Sequence, residues 1–356
     1  MQSESIELGF LSIFSLLTFF IFLIVSKFSN KIFNGVLVDN DFEKPQAFHS
    51  EPVSRSGGLA SIISLFIFFY FYYLLYSEVL INYILIAIGM FFIGSLDDFK
   101  IKIKPTTRLF VMIIILFILI YFLEIKIKSI DLVFLNSLLD INFFSVLFTL
   151  LCFLLIINGA NLIDGFNGLL TINLILINSI LLYLNLKINN LEFSIFLIAQ
   201  LTILICFLMF NFPRAKIFFG DSGSYLFGSL IALNTIITNN LNPDITSFFF
   251  CILLSYLFFE VFFSFIRKIY QKKSPFFPDN KHLHMLSYGK ITAYFGREKS
   301  NYMNSFIINI VYLILVLPSV YFSHNPLICK FWFLTLIICY LIIYQRVNTT
   351  KQNSVL

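Results

Sequence analysis

Eleven stretches of roughly 20 predominantly apolar residues, each long enough for a bilayer-spanning helix, follow one another along the chain. They lie at about 6–26, 57–77, 79–96, 109–125, 143–163, 168–186, 191–211, 223–239, 245–266, 303–322 and 329–345. With 59% hydrophobic and only 12% charged residues, the chain has too little polar surface to cover a soluble core. Alternating polar and apolar strands of an outer-membrane barrel are absent. Lys27, the first cation, follows the first apolar run, so that run reads as a span and not as a cleavable signal. Cys152, Cys206, Cys251 and Cys339 sit inside apolar runs, and no disulfide or metal spacing emerges from the five cysteines. The expected fold is an all-α polytopic integral membrane protein with about 11 transmembrane helices, forming a single domain over 1–356.

Charge sets the expected orientation. With the N-terminus outside and the C-terminus cytoplasmic, the inner segments carry 20 of the 24 Lys and Arg residues; only Lys126, Lys128, Lys187 and Lys330 fall outside. That is the positive-inside pattern. The +5 net charge therefore reports membrane orientation, and no soluble basic domain exists to bind nucleic acid.

The polar clusters gather on the same inner face, in segments 27–56, 97–108, 158–168, 211–223 and 267–302. Asp97 and Asp98 end the third span. Adjacent carboxylates suit a divalent cation or a base beside one; a solvated loop with counter-charges is the alternative. On a helix end the two point about 100° apart, so they serve different partners. Asn161, Asp164 and Asn167 are spaced by three, which puts them on one face if the helix continues, and their oxygens suit Mg2+. An Asn/Gly turn is the plainer reading. Gly220-Asp221-Ser222-Gly223-Ser224 opens a span whose N-terminus would attract an anion, with Asp221 a cation ligand or Asp221 or Ser222 simply an N-cap. Phe218 stacks on a base or faces lipid. His282 and His284, beside Lys281 and Asp279, fit phosphate or sugar contact better than zinc, for which H-x-H alone is weak.

In order along 30–290, these residues resemble the polyprenyl-phosphate N-acetylhexosamine-1-phosphate transferases, glycosyltransferase family 4. The matching motifs are His49-x-x-Pro52-x-x-Arg55-x-Gly57-Gly58, Asp97-Asp98, Asn158-x-x-Asn161-x-x-Asp164-Gly165, Asn211 through Gly223, and Pro278-Asp279-x-x-His282-x-His284. The chain departs from many members at Asn167, where they carry aspartate, and at Met285, where they carry a third histidine; Glu260 retains the usual acid. The resemblance implies transfer of a sugar-1-phosphate from a UDP-sugar to a polyprenyl phosphate, with release of UMP, starting lipid-linked cell-envelope glycan synthesis. It implies Mg2+, or Mn2+, held by Asn161 and Asp221. Asp97, Asp98 and Asp164 would be catalytic, with Asp97 or Asp98 positioning or deprotonating the lipid phosphate. His49, Arg55, Asn167, Asn211, Phe218, Lys281, His282 and His284 would bind substrate. The expected partners are UDP-N-acetylhexosamine, polyprenyl (undecaprenyl) phosphate and the bilayer, with a homodimer allowed and no nucleic acid. The expected location is the bacterial inner membrane, with the site facing the cytosol. The rival is a secondary transporter or lipid flippase, which would place its polar groups near the midplane and often shows repeated halves, neither of which is seen. A scaffold without catalysis leaves the aspartates unexplained. Sugar choice is expected to lie in 267–302.

The charge asymmetry makes a direct prediction. A cysteine placed at Lys272, in a background lacking the native cysteines, should resist a membrane-impermeant thiol reagent applied to intact cells; ready labelling would reverse the topology.

Overall fold

The structure, a computed structural model, describes residues 2–29, 31–40, 51–101, 103–275 and 279–353. Among these, helix follows helix. The first four are α1 (Gln2–Phe28), α2 (Gly57–Tyr76), α3 (Ile81–Asp98) and α4 (Pro105–Phe122). After the short α5 (Val133–Leu139) come α6 (Asn142–Ile163), α7 (Leu169–Lys187), α8 (Leu191–Asn211) and α9 (Gly220–Leu241). The last four are α10 (Ser247–Leu253), α11 (Ser255–Tyr270), α12 (Leu283–Tyr321) and α13 (Pro326–Asn353). A two-residue antiparallel ladder, β1 (Val38–Asp39) with β2 (Val53–Ser54), sits between α1 and α2.

Every expected span is helical, but not every one is a plain apolar rod. Nine helices among the described residues are long and apolar enough to cross a membrane, and α10 with α11 makes a tenth candidate, bent by 76° at the break. The stretch 245–266 is therefore a broken helix. The stretch 223–239 belongs to α9, which is absent from those nine because Ser224, Ser229, Asn234, Thr235 and Thr238 interrupt its apolar surface. All five are buried, since α9 is packed against α2, α3, α6 and α7. A helix walled in by protein needs no lipid-facing stripe. Segment 267–302 also differs from the expected loop. The long α12 starts at Leu283 and breaks direction at Gly296, where φ is 73° and ψ 167°, a conformation open to a residue without Cβ.

Two features lock α9 in place. Halfway along it, Asn178 of α7, Gln200 of α8 and Asn234 form a buried amide ring. Asn178 donates to Gln200 (3.3 Å), Gln200 to Asn234 (3.3 Å), and Asn234 to both Asn178 (3.0 Å) and Gln200 (2.9 Å). Polar groups in such a setting must find partners within the bundle. At its start, α9 lies directly on two glycines. A Cβ at Gly94 of α3 would come within 2.3 Å of the Asp221 carbonyl oxygen, and one at Gly58 of α2 within 2.5 Å of the Gly223 nitrogen.

Gly94→Ala therefore forces α3 and α9 apart, and overpacking of this kind costs about 1–3 kcal/mol. The expected result is a lower melting temperature in detergent. Gly289→Ala, where a Cβ meets nothing within 4 Å, should leave the melting temperature unchanged or slightly raised.

Candidate active site

The end of α3 meets the start of α9. Asp98, the last residue of α3, is 3% exposed, and its carboxylate accepts hydrogen bonds from the backbone N–H groups of Asp221 (3.0 Å) and Ser222 (2.9 Å). The free N–H groups of a helix N-terminus attract negative charge. The sequence left that position to a phosphate or to an Asp221 or Ser222 cap; the structure gives it to Asp98, and the N-cap residue Phe219 makes no side-chain cap. Gly220, at φ +76°, leaves room, since a Cβ there would lie 2.5 Å from Asp98 Oδ2. Asp97, one residue earlier, points elsewhere, and its side chain is 42% exposed.

Two arginines bind this acidic cluster. Arg55, just after β2, grips Asp39 through Nε (3.0 Å) and Nη2 (2.6 Å), and its Nη1 lies 3.4 Å from Asp97 Oδ2 and 3.8 Å from Asp98 Oδ1. Arg108, in the first turn of α4, places Nη1 2.5 Å from Asp221 Oδ2 and 3.2 Å from Asp97 Oδ1. Its guanidinium lies over the Tyr225 ring at 5.4 Å. Burial works against the Arg55 charge, but Asp221, Asp39 and Asp98 outweigh it and raise its basicity. Among the described residues, four carboxylates thus gather around two guanidiniums. A cavity of about 480 Å3 opens here, lined by Asp39, Arg55, Asp97, Asp98 and Lys100 among others.

The Asn/Asp motif supplies the opposite wall. Asn161 of α6 donates to Asp221 Oδ1 (3.0 Å) and Ser224 Oγ (3.1 Å). The helix stops at Ile163, and Asp164 is its C-cap. The chain then turns to Gly168, at φ +77°. Asn161, Asp164 and Asn167 therefore do not share a helical face as their spacing suggested, because the turn redirects Asn167. Its backbone N–H donates to Asn301 (2.8 Å) and its amide to the Pro213 carbonyl (3.0 Å). The Asp164 carboxyl is pushed well above the usual range by burial and by the charges of Asp221 and Asp98, against the pull of Arg55.

Several expected substrate contacts have other neighbours. Asn211 is 5% exposed; it accepts from the Gly168 N–H (2.7 Å) and donates to the Ile217 carbonyl (3.0 Å), so it braces two turns. Phe218 is half-buried, while its neighbour Phe219 is buried and stacked on Phe207 at 4.3 Å. His282 and His284 are buried, not displayed on a solvated loop. The reason is Glu260, 22 residues earlier and itself buried. Its Oε2 lies 3.0 Å from His282 Nδ1 and its Oε1 3.9 Å from His284 Nδ1. Asp279 is held by Arg267 (2.7 and 3.2 Å); burial opposes its charge, but Arg267 prevails and keeps its carboxyl below the usual range. Lys281 is half-buried. His49 lies outside the described residues. Asp39, Arg108 and Asn301 were not among the expected site residues, and no local spacing marks them.

Among the described residues, no three His, Cys, Asp or Glu side chains are arranged to hold a metal ion by themselves. The oxygens present nevertheless suit a hard cation. Mg2+ commonly takes only one or two protein carboxylates and completes its shell with water and substrate phosphates. The crowding of carboxylates that raises Asp164 is what such a cation would relieve.

Residues 80–239, which carry Asp97, Asp98, Asn161, Asp164 and Asp221, match glycosyl transferase family 4. Over 350 residues, 96% of the chain and 98% of the relative, the protein is 27% identical to an undecaprenyl-phosphate alpha-N-acetylglucosaminyl 1-phosphate transferase of Thermotoga maritima. It is 29% identical over 158 residues (42% of the chain, 50% of the relative) to a phospho-N-acetylmuramoyl-pentapeptide-transferase of Clostridium perfringens. A protein of the same description from Dictyoglomus turgidum is 34% identical over 154 residues (41% of the chain, 48% of the relative). These last two matches span about half of each relative. Asp39, Arg55, Glu260, His282 and His284 lie outside the matched region.

The site geometry separates the paired aspartates. Asp98→Ala strands two buried N–H groups and should lower the stability of the folded protein by about 1–3 kcal/mol. Asp97→Ala, at a half-exposed ion pair, should change it by less than about 1 kcal/mol. Thermal melting of the two purified variants in detergent checks the difference.

Proposed function

We propose that the protein transfers an N-acetylhexosamine-1-phosphate from a UDP-sugar to a membrane polyprenyl phosphate, releasing UMP. The observation that carries this reading is the convergence of Asp97, Asn161, Asp164 and Asp221 with Arg55 and Arg108 at one end of an apolar helical bundle. Similarity to the Thermotoga maritima transferase along nearly its whole length supports it. In this reading the bundle lies in a bacterial inner membrane, N-terminus outside, with the site toward the cytosol, as the 20-to-4 division of basic residues favours.

A lipid phosphate oxygen attacks the phosphorus that carries the sugar, and the bond from that phosphorus to the UMP oxygen breaks. A phosphate monoester has its second pKa near 6, so the nucleophile is largely ionised at neutral pH and needs little help from a base. Positioning and charge stabilisation are then the main tasks. Asp97 is suited to the lipid side: it is half-exposed, lines the 480 Å3 cavity, and is held between Arg55 and Arg108. Asp98 contributes by seating α9 and so placing Asp221. Asp221 and Asn161 would hold Mg2+, with Asp164 adjacent; when bound, the cation neutralises charge on the donor diphosphate. Phe218 would stack on the uracil in this reading.

The decisive experiment is UMP release from a UDP-sugar by purified protein supplied with undecaprenyl phosphate and Mg2+. Asp221→Asn should reduce it by about 100-fold or more, in line with the loss of one charge-stabilising group; near-normal turnover at limiting Mg2+ would remove Asp221 from the ligand set. The pH dependence has a definite sign. Asp164 keeps its proton above the usual carboxylate range, so lowering the pH removes a negative charge from the cation site. The Mg2+ concentration for half-maximal rate should therefore rise as the pH falls through the Asp164 titration, and Asp164→Asn should flatten that rise.

A further inference from the structure

The segment from Asp279 to His284 is fastened to three helices, and its cation, Lys281, is held through its backbone. Asp279 is chelated by Arg267 of α11. His282 meets Glu260 of α11 through Nδ1, and Asn304 of α12 donates to the His284 carbonyl at 2.8 Å. Lys281 is held at both backbone groups. Its N–H donates to Asp279 Oδ1 (3.3 Å), and its carbonyl accepts from the Tyr344 hydroxyl of α13 (3.0 Å). Tyr344 is itself fixed: it is 5% exposed and packs edge-on against Phe263 at 4.5 Å. Yet no described group pairs with the half-buried Lys281 ammonium.

This segment borders the site. A Cβ at Gly165 would lie 3.8 Å from His284 Nε2, and the Phe166 ring meets the His284 ring edge-on at 5.7 Å. Both residues belong to the turn that carries Asp164. The same helix that ties down His284 also ties down that turn, since Asn301 accepts from the Asn167 N–H. A lysine clamped through its backbone, three residues from a side chain touching the Asp164 turn, has a fixed attachment point from which its ammonium can reach out. An ammonium of this kind matches a phosphate oxygen.

We propose that Tyr344 and Glu260 are positioning residues: they act through the 279–284 segment to hold the Lys281 ammonium toward the phosphates of the donor. Tyr344 works on the Lys281 carbonyl and Glu260 on the neighbouring His282 ring. The buried histidines thus serve as anchors for the segment. This rests on the transferase reading above.

The test measures UMP release by full-length protein in nanodiscs with undecaprenyl phosphate, varying the UDP-sugar that the wild type turns over. Lys281→Met should raise the donor KM about 10-fold and Tyr344→Phe about 3–10-fold, the range expected for one charged and one neutral hydrogen bond. In Tyr344→Phe, kcat should stay within about twofold of wild type, because the clamp acts on donor binding. The double variant Tyr344→Phe/Lys281→Met should match Lys281→Met alone, since a residue acting only through Lys281 has nothing left to position. Glu260→Gln should also raise donor KM more than it lowers kcat; should it fail to insert, the Tyr344 and Lys281 variants decide the matter alone. Losses that multiply in the double variant, or a Tyr344→Phe enzyme with a lowered kcat and unchanged KM, would overturn the proposal. A wild type that releases no UMP would sink the transferase reading itself, whereas an active wild type with an unaffected Tyr344→Phe sinks only the clamp.

Discussion

One carboxylate at the junction of two helices organises this protein. Asp98 ends α3 and accepts from the first N–H groups of α9, so a negative charge meets the positive end of a helix dipole in a buried setting. The glycines beneath the junction, Gly94 and Gly58, let the backbones approach closely enough for that contact to form. Once α9 is seated, Asp221 faces Arg108 and Asn161, and the remaining site is assembled around it.

The charge balance of the site follows from this arrangement. Arg55 and Arg108 do not neutralise one acid each; both reach Asp97 while also serving Asp39 or Asp221. The arginines therefore keep the carboxylates close together. A site built this way would suit the proposed pair of a cation and an anionic group brought with it. That combination is what a metal-bound diphosphate requires, and it explains why acidic and basic residues are intermixed at one end of an otherwise apolar bundle.

Much of the architecture was legible because a bilayer demands length. An apolar run of roughly 20 residues can hardly be anything but helical, and each expected run is helical, although 245–266 is broken into two helices. The acidic motifs were legible because polar residues stand out against such a background. The exceptions have physical causes. In α9 the polar residues are hidden from lipid by neighbouring helices, so its composition understates how central it is. The pairing of Asp98 with Ser222 spans 124 residues, and that of Arg108 with Asp221 spans 113, and no local spacing encodes either. The burial of the histidines was not legible because their partner, Glu260, sits inside another helix. The regular spacing of Asn161, Asp164 and Asn167 misled because the helix ends within it.

The enclosure of α9 bears on how the protein meets different membranes. Bilayers vary in thickness by a few ångströms, and a spanning helix answers by tilting or by deforming the lipid around it. The helices with the most outward apolar surface are α1, α4 and α13, where less than a third of the apolar window is buried. They meet the lipid directly and can lean with it. Helix α9 is held by protein on its sides and by the amide ring at its middle, so it follows its neighbours instead of the bilayer. The reacting end is thereby insulated from lipid composition, and the same chemistry can operate in membranes of unequal depth.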